Sequence, residues 1–357
     1  MSKYYLGIMC GTSLDSIDVS IVKMQNNKLK VMGFGEYKIN ENLKSKINKQ
    51  KKLKKTNRKL DCEISDIISS RIKTILKKYK IKATQVAGIG FPGITLHHNP
   101  KSKMSTYIGD PKVISNLVTI PVVSDFRQTN IKAGGQGAPL TGLFHQYINK
   151  LSKKNISFVN LGGFANITIK YKGQIFAYDT GPANYLIDVW CRKKFNIPYD
   201  KNGKLAQTGE IHLGFLQSML QDNFFKKSPP KSTGFENFNY DWILKHLKKF
   251  KKITKLDVLA TLTYLTISTI SCELNKDRNR SKIVYVSGGG VKNITITDGI
   301  ESLTQHKRLN ALGCGIDEKN FESVAFAWFA QQRINNKKFQ KSNITGAKKL
   351  HYLGNIY

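Results

Sequence analysis

The chain reads as an α/β protein of two similar lobes, and three observations predict this. A short apolar run, a polar glycine turn and a second apolar run occur at residues 4–22 and again at 156–171. Stretches with apolar residues near a 3.6 spacing follow each hairpin, as helices laid on a sheet require. The 357 residues, 40% of them hydrophobic, suffice for two domains with separate cores. The expected division is 1–132 and 133–357, with the last helix free to pack back on the first lobe.

Each element follows from its local pattern. Residues 4–9 and 17–24 are β-leaning and flank Gly11-Thr12-Ser13-Leu14-Asp15-Ser16, which predicts a hairpin with a polar tip. Ile47, Leu53, Leu60, Ile64, Ile67, Ile68, Ile72, Ile75 and Leu76 keep a helical period across 41–80. Residues 86–89 and 120–125 read as buried strands, the second opening into a Gly-rich loop at 133–139. In the second half, 156–161, 167–171 and 174–178 read as strands around Gly162-Gly163 and Gly173. Helices are expected over 183–195 and 258–274, and a last buried strand, 283–287, ends in Gly288-Gly289-Gly290. Neither a repeat array of about 20–50 residues nor a low-complexity linker interrupts the pattern.

The charge is extreme: 58 Lys and Arg against 24 Asp and Glu give +34. The lysines occur in nearly every segment. The runs at 44–59 and 245–255 carry Ile47, Leu53, Leu60 and Ile243, Leu247, Phe250 at helical spacing, which marks wet faces of amphipathic helices. No finger, ribonucleoprotein or helix-turn-helix pattern accompanies the charge, so a nucleic-acid-binding protein is only a remote alternative. The charge still favours anionic substrates such as a nucleotide. No run approaches ~18 consecutive apolar residues, so no membrane span is expected. The opening Met1-Ser2-Lys3-Tyr4-Tyr5-Leu6-Gly7 lacks an export pattern. Five Cys (10, 62, 191, 272, 314), odd in number and without a CxxC, read as reduced thiols of a cytoplasmic protein rather than a disulfide framework or a zinc site.

The glycine turns are the sharpest local signal. Glycine permits close backbone approach, so N–H groups and hydroxyls can converge on an anion. Gly11, Thr12, Ser13 and the carboxylates Asp15 and Asp18 supply one such turn, and Gly162-Gly163 supplies bare backbone. Singly, each also reads as an ordinary hairpin turn. With Gly288, Gly289 and Gly290 at a strand end, the set points to phosphate and nucleoside binding, two turns gripping one triphosphate. No GxxxxGK[ST] is present. Gly88-Ile89-Gly90-Phe91-Pro92-Gly93 matches GxGxxG, but Pro100 and the lack of a helical period behind it deny the helix a dinucleotide site needs. Asp179, at a strand end before Thr180-Gly181-Pro182, suits a general base in a cleft or, with Thr180, a cap on the next helix. Arg127 suits an anion-steering guanidinium or a structural pair with Asp125. Adjacent His97 and His98 point to opposite faces of a strand and cannot share a metal. No G-x-S-x-G appears, and Trp190 and Trp328 fall on apolar helix faces.

Several of these strings resemble the anhydro-N-acetylmuramic acid kinases. They are Met9-Cys10-Gly11-Thr12-Ser13-Leu14-Asp15-Ser16-Ile17-Asp18, Ala133-Gly134-Gly135-Gln136-Gly137-Ala138-Pro139-Leu140 and Asn160-Leu161-Gly162-Gly163-Phe164-Ala165-Asn166. Tyr178-Asp179-Thr180-Gly181-Pro182-Ala183-Asn184, Pro230-Lys231-Ser232-Thr233-Gly234-Phe235-Glu236, Ser287-Gly288-Gly289-Gly290-Val291-Lys292-Asn293 and Glu322-Ser323-Val324-Ala325-Phe326-Ala327-Trp328 continue the match in order. The resemblance implies an actin/Hsp70/hexokinase-like fold, two ribonuclease-H-like lobes around an ATP cleft. It implies ATP- and Mg²⁺-dependent, hydrolytic conversion of 1,6-anhydro-N-acetylmuramic acid to N-acetylmuramic acid 6-phosphate in peptidoglycan recycling. By position, Gly11, Thr12, Ser13, Leu14, Asp15, Ser16, Ile17 and Asp18 form the first phosphate loop. Gly162, Gly163 and Asn166 form the second, and Gly288, Gly289 and Gly290 the nucleoside loop. Asp179 matches the catalytic Asp and Glu322 a sugar-contacting Glu. Arg127 and Thr95 fall on the sugar side, and Asp15 is the carboxylate placed to assist Mg²⁺. The expected partners are ATP and an anhydro amino sugar, with a homodimer admitted and a membrane excluded.

The chain departs from the family in places. Phe91-Pro92-Gly93-Ile94-Thr95 stands where the family usually has Ser-His-Gly-Gln-Thr. Gln128-Thr129-Asn130 lacks a cation and a carboxylate usual after Asp-Phe-Arg. Ser16 and Ala183 replace glycines. These changes motivate the alternative of an ATP-binding relative with lost or altered sugar specificity.

Overall fold

The computed structural model describes residues 3–11, 14–25, 28–99, 104–229, 231–276, 281–340 and 344–357. Thr12 and Ser13 of the first glycine turn, and Pro230, lie outside the described residues. The chain forms two compact units, Met1–Leu151 with Leu312–Tyr357, and Ser152–Ala311.

The first unit opens with an antiparallel meander, β1 (Lys3–Cys10), β2 (Ser16–Gln25) and β3 (Lys28–Lys38). The expected helix over 41–80 is two, α1 (Glu41–Leu53) and α2 (Arg58–Lys78). Lys54 turns left-handed at φ 53°. Asn57 then caps α2 by accepting from the Leu60 N–H at 3.1 Å. Next come β4 (Val86–Gly90), the hairpin β5 (Ile94–Asn99) and β6 (Met104–Ile108), α3 (Pro111–Val118), β7 (Val122–Ser124), α4 (Phe126–Lys132) and α5 (Thr141–Ser152).

The second unit contains β8 (Ile156–Leu161), β9 (Phe164–Tyr171), β10 (Gln174–Pro182), α6 (Asn184–Lys194), α7 (Leu213–Leu220), α8 (Asn223–Lys226), α9 (Tyr240–Leu247), α10 (Lys255–Leu274), β11 (Ile283–Ser287), α11 (Ile294–Thr304) and β12 (Lys307–Leu309). The lysine run at 245–255 is not the face of one helix. It spans the end of α9, a connecting turn and the start of α10, which Thr254 and Asp257 open with a capping box. The chain ends its described elements with β13 (Ala311–Gly313), β14 (Ile316–Asp317), α12 (Phe321–Ile334) and β15 (Asn355–Ile356).

The sheet of the first unit runs β15-β7-β4-β1-β2-β3 and that of the second β10-β9-β8-β11-β12. In each, a three-stranded antiparallel meander is extended by parallel strands on the side of its first strand, and in the first unit β15 adds antiparallel at the edge. This is the ribonuclease-H-like arrangement, present twice, and the fold is α/β of the actin/hexokinase-like kind.

Glycine decides how α12 seats on the first sheet. A Cβ on Gly7 of β1 would lie 1.7 Å from the Ser323 carbonyl oxygen, and one on Gly90 of β4 2.0 Å from that of Phe326. A Cβ on Gly88 would meet the side-chain Cδ1 of Ile334 at 2.0 Å. The first two glycines of the GxGxxG string are therefore a helix-docking surface at the end of β4, and the rest of the string lies beyond the strand. The buried Ser20 and Ser323 hydroxyls, 2.6 Å apart, pin the same contact.

The sequence placed the first boundary at 132/133, and the units divide after Leu151. Phe144 of α5 packs on Phe321 and Trp328 of α12, which ties α5 to the first unit. Trp190 and Trp328 are buried, as expected. Among the described residues no helix is long and apolar enough to cross a membrane.

Candidate active site

In the second unit the strand register assembles a polar row. Ser287 of β11 pairs with Asn160 of β8, Asn160 with Asn166 of β9, and Asn166 with Asp179 of β10. Directly paired residues share a face. The row lies where the parallel strands β8 and β11 end, the usual ligand edge of such sheets.

Two glycine turns sit on this edge. A Cβ on Gly288, whose φ is +88°, would come 2.4 Å from Asn160 Oδ1. One on Gly290 would come 2.6 Å from Asn184 Nδ2. Asn184 in turn donates to the carbonyls of Leu161 (3.2 Å) and Gly162 (2.8 Å). The Gly162-Gly163 turn and the Gly288–Lys292 segment are thus held together through Asn160, Leu161 and Asn184. The carbonyls of Gly162 and Gly163 accept from the N–H groups of Ala183, Asn184 and Tyr185. Because peptides are planar and trans, the N–H groups of Gly163 and Phe164 point away from α6. Beside Gly289 a Cβ would meet nothing within 4 Å. Outward amides and open space suit a bound anion.

Asp179 is embedded at the end of this row. Its N–H donates to the Lys231 carbonyl (3.0 Å), and its carboxylate accepts from the Thr233 N–H (2.9 Å). Burial lifts its pKa to about 6, against the opposing Thr233 bond. The capping alternative fails. β10 runs on through Pro182, α6 begins at Asn184 without a side-chain cap, and Thr180 donates to the Ala165 carbonyl.

The first unit holds the remaining candidates. Leu14 and Ile17 are core residues, so their side chains face away from any ligand. Gly11 accepts from the Leu14 N–H (3.0 Å). Asp15 is 71% exposed and paired with Lys44 at 3.0 Å. Asp18 accepts from the Ser16 hydroxyl (2.8 Å). Burial, helped by Glu36 on the neighbouring strand, lifts the Asp18 pKa to about 6. Burial also raises the Glu322 carboxyl, an effect Arg127 opposes and Asp18 reinforces. Glu322, Arg127 and Asp18 therefore act on one another.

Arg127 donates Nη1 to the Gly137 carbonyl at 3.1 Å, and its buried Nε has no hydrogen-bond partner among the described residues. It does not serve as a structural partner of Asp125. That carboxylate accepts from Tyr107 (2.6 Å), Asn355 (2.9 Å) and Tyr357. Thr95 is half-buried on β5, in register with Tyr107. Phe91 and Ile94 are buried in the core of the first unit. Thr129 accepts from the Gly354 N–H, and buried Asn130 holds Gly137 and Thr345. The departures at 128–130 thus have structural duties.

Among the described residues no three His, Cys, Asp or Glu side chains gather to hold a metal ion. Sequence reasoning did not single out Thr233, Asn160 or Asn184 as site residues. The strand register alone brings Asn160 beside Asn166, and the fold alone lays residue 233 on Asp179.

The family model for anhydro-N-acetylmuramic acid kinase matches residues 3–357. The protein of that name from Hydrogenovibrio crunogenus is 34% identical over 100% of this chain and 98% of its own. That from Sulfurovum sp. is 35% identical over 99% and 98%. Among solved structures, component A of the Acidaminococcus fermentans (R)-2-hydroxyglutaryl-CoA dehydratase aligns at a TM-score of 0.45 and 10% identity, over 93% of this chain and 99% of that one. With the family model and these relatives spanning its length, the chain belongs to the anhydro-N-acetylmuramic acid kinase family.

Proposed function

We propose that this chain opens 1,6-anhydro-N-acetylmuramic acid with water and phosphorylates it from ATP, with Asp179 as the general base. The observation that carries the reading is a half-buried carboxylate at one end of the Ser287–Asn160–Asn166–Asp179 row, on the sheet edge that holds the glycine turns, where desolvation lifts its pKa to about 6. Near neutral pH such a carboxylate is ionised and basic enough to accept a proton.

Asp179 takes a proton from a water as that water bonds to the anomeric carbon. The bond from that carbon to O6 breaks. The freed O6 attacks the γ-phosphorus, the bond to the β-phosphate bridging oxygen breaks, and ADP leaves. Asp179 returns its proton to solvent. The products are N-acetylmuramic acid 6-phosphate and ADP.

The outward amides at Gly163 and Phe164 and the Gly288–Gly290 turn suit the nucleotide, with Asn166 beside Asp179. Positioning and charge neutralisation supply most of phosphoryl-transfer catalysis. In the first unit the backbone of Gly11 and of residues 14–18 is assigned to phosphate, and Mg²⁺ arrives on the nucleotide's oxygens. Glu322, Arg127 and Thr95 are assigned to the sugar. The buried, unpartnered Arg127 Nε supports that role, because such a donor is costly unless a ligand meets it. Altered sugar specificity gains no support from residues 128–130, which brace the fold.

The test is incubation with ATP, Mg²⁺ and the anhydro sugar in water enriched in heavy oxygen. Label at the anomeric hydroxyl with phosphate on O6 is expected, and Asp179→Asn is expected to lower sugar-dependent ADP release by roughly 10²–10⁴-fold. A wild-type protein that releases no ADP on sugar addition overturns the reading.

A further inference from the structure

Two buried charges take no part in these steps. Lys231 Nζ lies 3.6 Å from Glu273 Oε1 of α10, with side chains only 4% and 6% exposed. The same ammonium lies over the Phe224 ring, 4.9 Å from its centroid. Glu273 also accepts from the Tyr178 hydroxyl (2.9 Å) and from Lys276 (2.7 Å). A buried ion pair is a weak source of net stability, because desolvation offsets much of the attraction. Its location supplies another reason for it.

Tyr178 immediately precedes Asp179, and the Lys231 carbonyl accepts the Asp179 N–H at 3.0 Å. Two residues further on, the Thr233 N–H donates to the Asp179 carboxylate at 2.9 Å. One carboxylate on α10 therefore anchors both the strand that carries Asp179 and the segment that lies against it. We propose that Lys231 is a positioning residue: its buried pair with Glu273 pins residues 231–236 so that Thr233 holds the Asp179 carboxylate in its working orientation. The proposal rests on Asp179 being the base.

Thr233 faces Asp179 from the 231–236 segment and Asn166 pairs with it from β9. Among the described residues, the charged and titratable groups around Lys231 include Glu273 and Lys276 of α10 and Tyr178 of β10. The Thr233 bond favours ionised Asp179, so loosening it raises the carboxyl pKa and moves the acid limb of kcat to higher pH.

The experiment is Lys231→Met in the full chain, which leaves Glu273 bonded to Tyr178 and Lys276 and lays an apolar side chain beside Phe224. Expected are a loss in kcat of about 10–100-fold, the scale of a small misplacement in an active site, an acid limb at higher pH and an unchanged KM for ATP. Lys231→Arg should recover part of the loss. Tyr178→Phe, which frees one anchor without removing a charge, should move the limb the same way by less. It carries the test if Lys231→Met does not fold. A Lys231→Met enzyme with normal kcat and limb, or one that loses kcat with the limb unmoved, overturns the proposal. So does an unmoved limb in Tyr178→Phe should Lys231→Met not fold. Asp179→Asn is assayed alongside. If it stays active on the sugar, the base assignment falls and this proposal with it; if it is inactive while Lys231→Met is normal, only this proposal falls.

Discussion

The two units build the same meander and spend its equivalent positions differently. In the first, Asp18 of β2 lies between Met9 of β1 and Glu36 of β3. In the second, Asn166 of β9 lies between Asn160 of β8 and Asp179 of β10. Glu36 thus occupies the register position that Asp179 occupies in the second unit. Glu36 is exposed, whereas Asp179 is largely enclosed and held by Thr233. The same topology supplies a solvated carboxylate in one case and a candidate base in the other. A neutral amide, Asn166, as its strand neighbour leaves Asp179 half-buried without a second negative charge beside it.

The largest effect separates those two carboxylates. Asp179→Asn should lower kcat by roughly 10²–10⁴-fold, the usual worth of a general base. Glu36→Gln should leave steady-state kcat near wild type. Comparable losses from both would erase the distinction. The pH profile sharpens it. A carboxylate whose pKa is raised to about 6 is a competent base above that pH and is protonated below it. The kcat should therefore fall as pH drops through about 6. A limb near the unperturbed carboxylate pKa of about 4 would mean that burial is not tuning Asp179.

Next in size is the contrast between glycines. Gly7 lies against α12, where a Cβ would meet the Ser323 carbonyl oxygen at 1.7 Å, while Gly173 at the β9–β10 turn has φ +79° and nothing within 4 Å. Gly7→Ala must displace the helix that carries Glu322. It should cost about 1–3 kcal/mol or more and raise KM for the sugar. Gly173→Ala pays only for its left-handed backbone, about 1–2 kcal/mol, with KM unchanged. Denaturant melts with sugar titrations of both variants decide it. Equal KM values in the two would show that α12 placement does not matter to the sugar.

This contrast also marks what a sequence exposes. The hairpins, the strands β8 and β11 and the helix α10 were legible because period and flanking glycines are local properties. The role of Gly88 and Gly90 was not, because their neighbours Phe326 and Ile334 lie far along the chain. The break at Lys54 within a continuous apolar period, and the extension of β10 through Pro182, likewise depend on tertiary pairing. Asp179 stood out at a strand end. Its partners Lys231 and Thr233 did not, since their contribution there is a backbone carbonyl and a backbone N–H, which any residue type except proline supplies in full.

The smallest expected effect concerns the first glycine turn. Asp15 is 71% exposed and meets Lys44, itself 27% exposed, at 3.0 Å. An ion pair so open to water gains little, because solvent screens the attraction and two long side chains lose freedom. Lys44→Met should lower stability by less than about 1 kcal/mol, and by less still in high salt. The Gly162-Gly163 turn has no such charge and offers backbone alone. If Asp15 serves the nucleotide, removing Lys44 changes the KM for ATP and its salt dependence while the melt barely moves. If Asp15 is only a solvated surface charge, both stay put, and the two turns differ in function as well as in sequence.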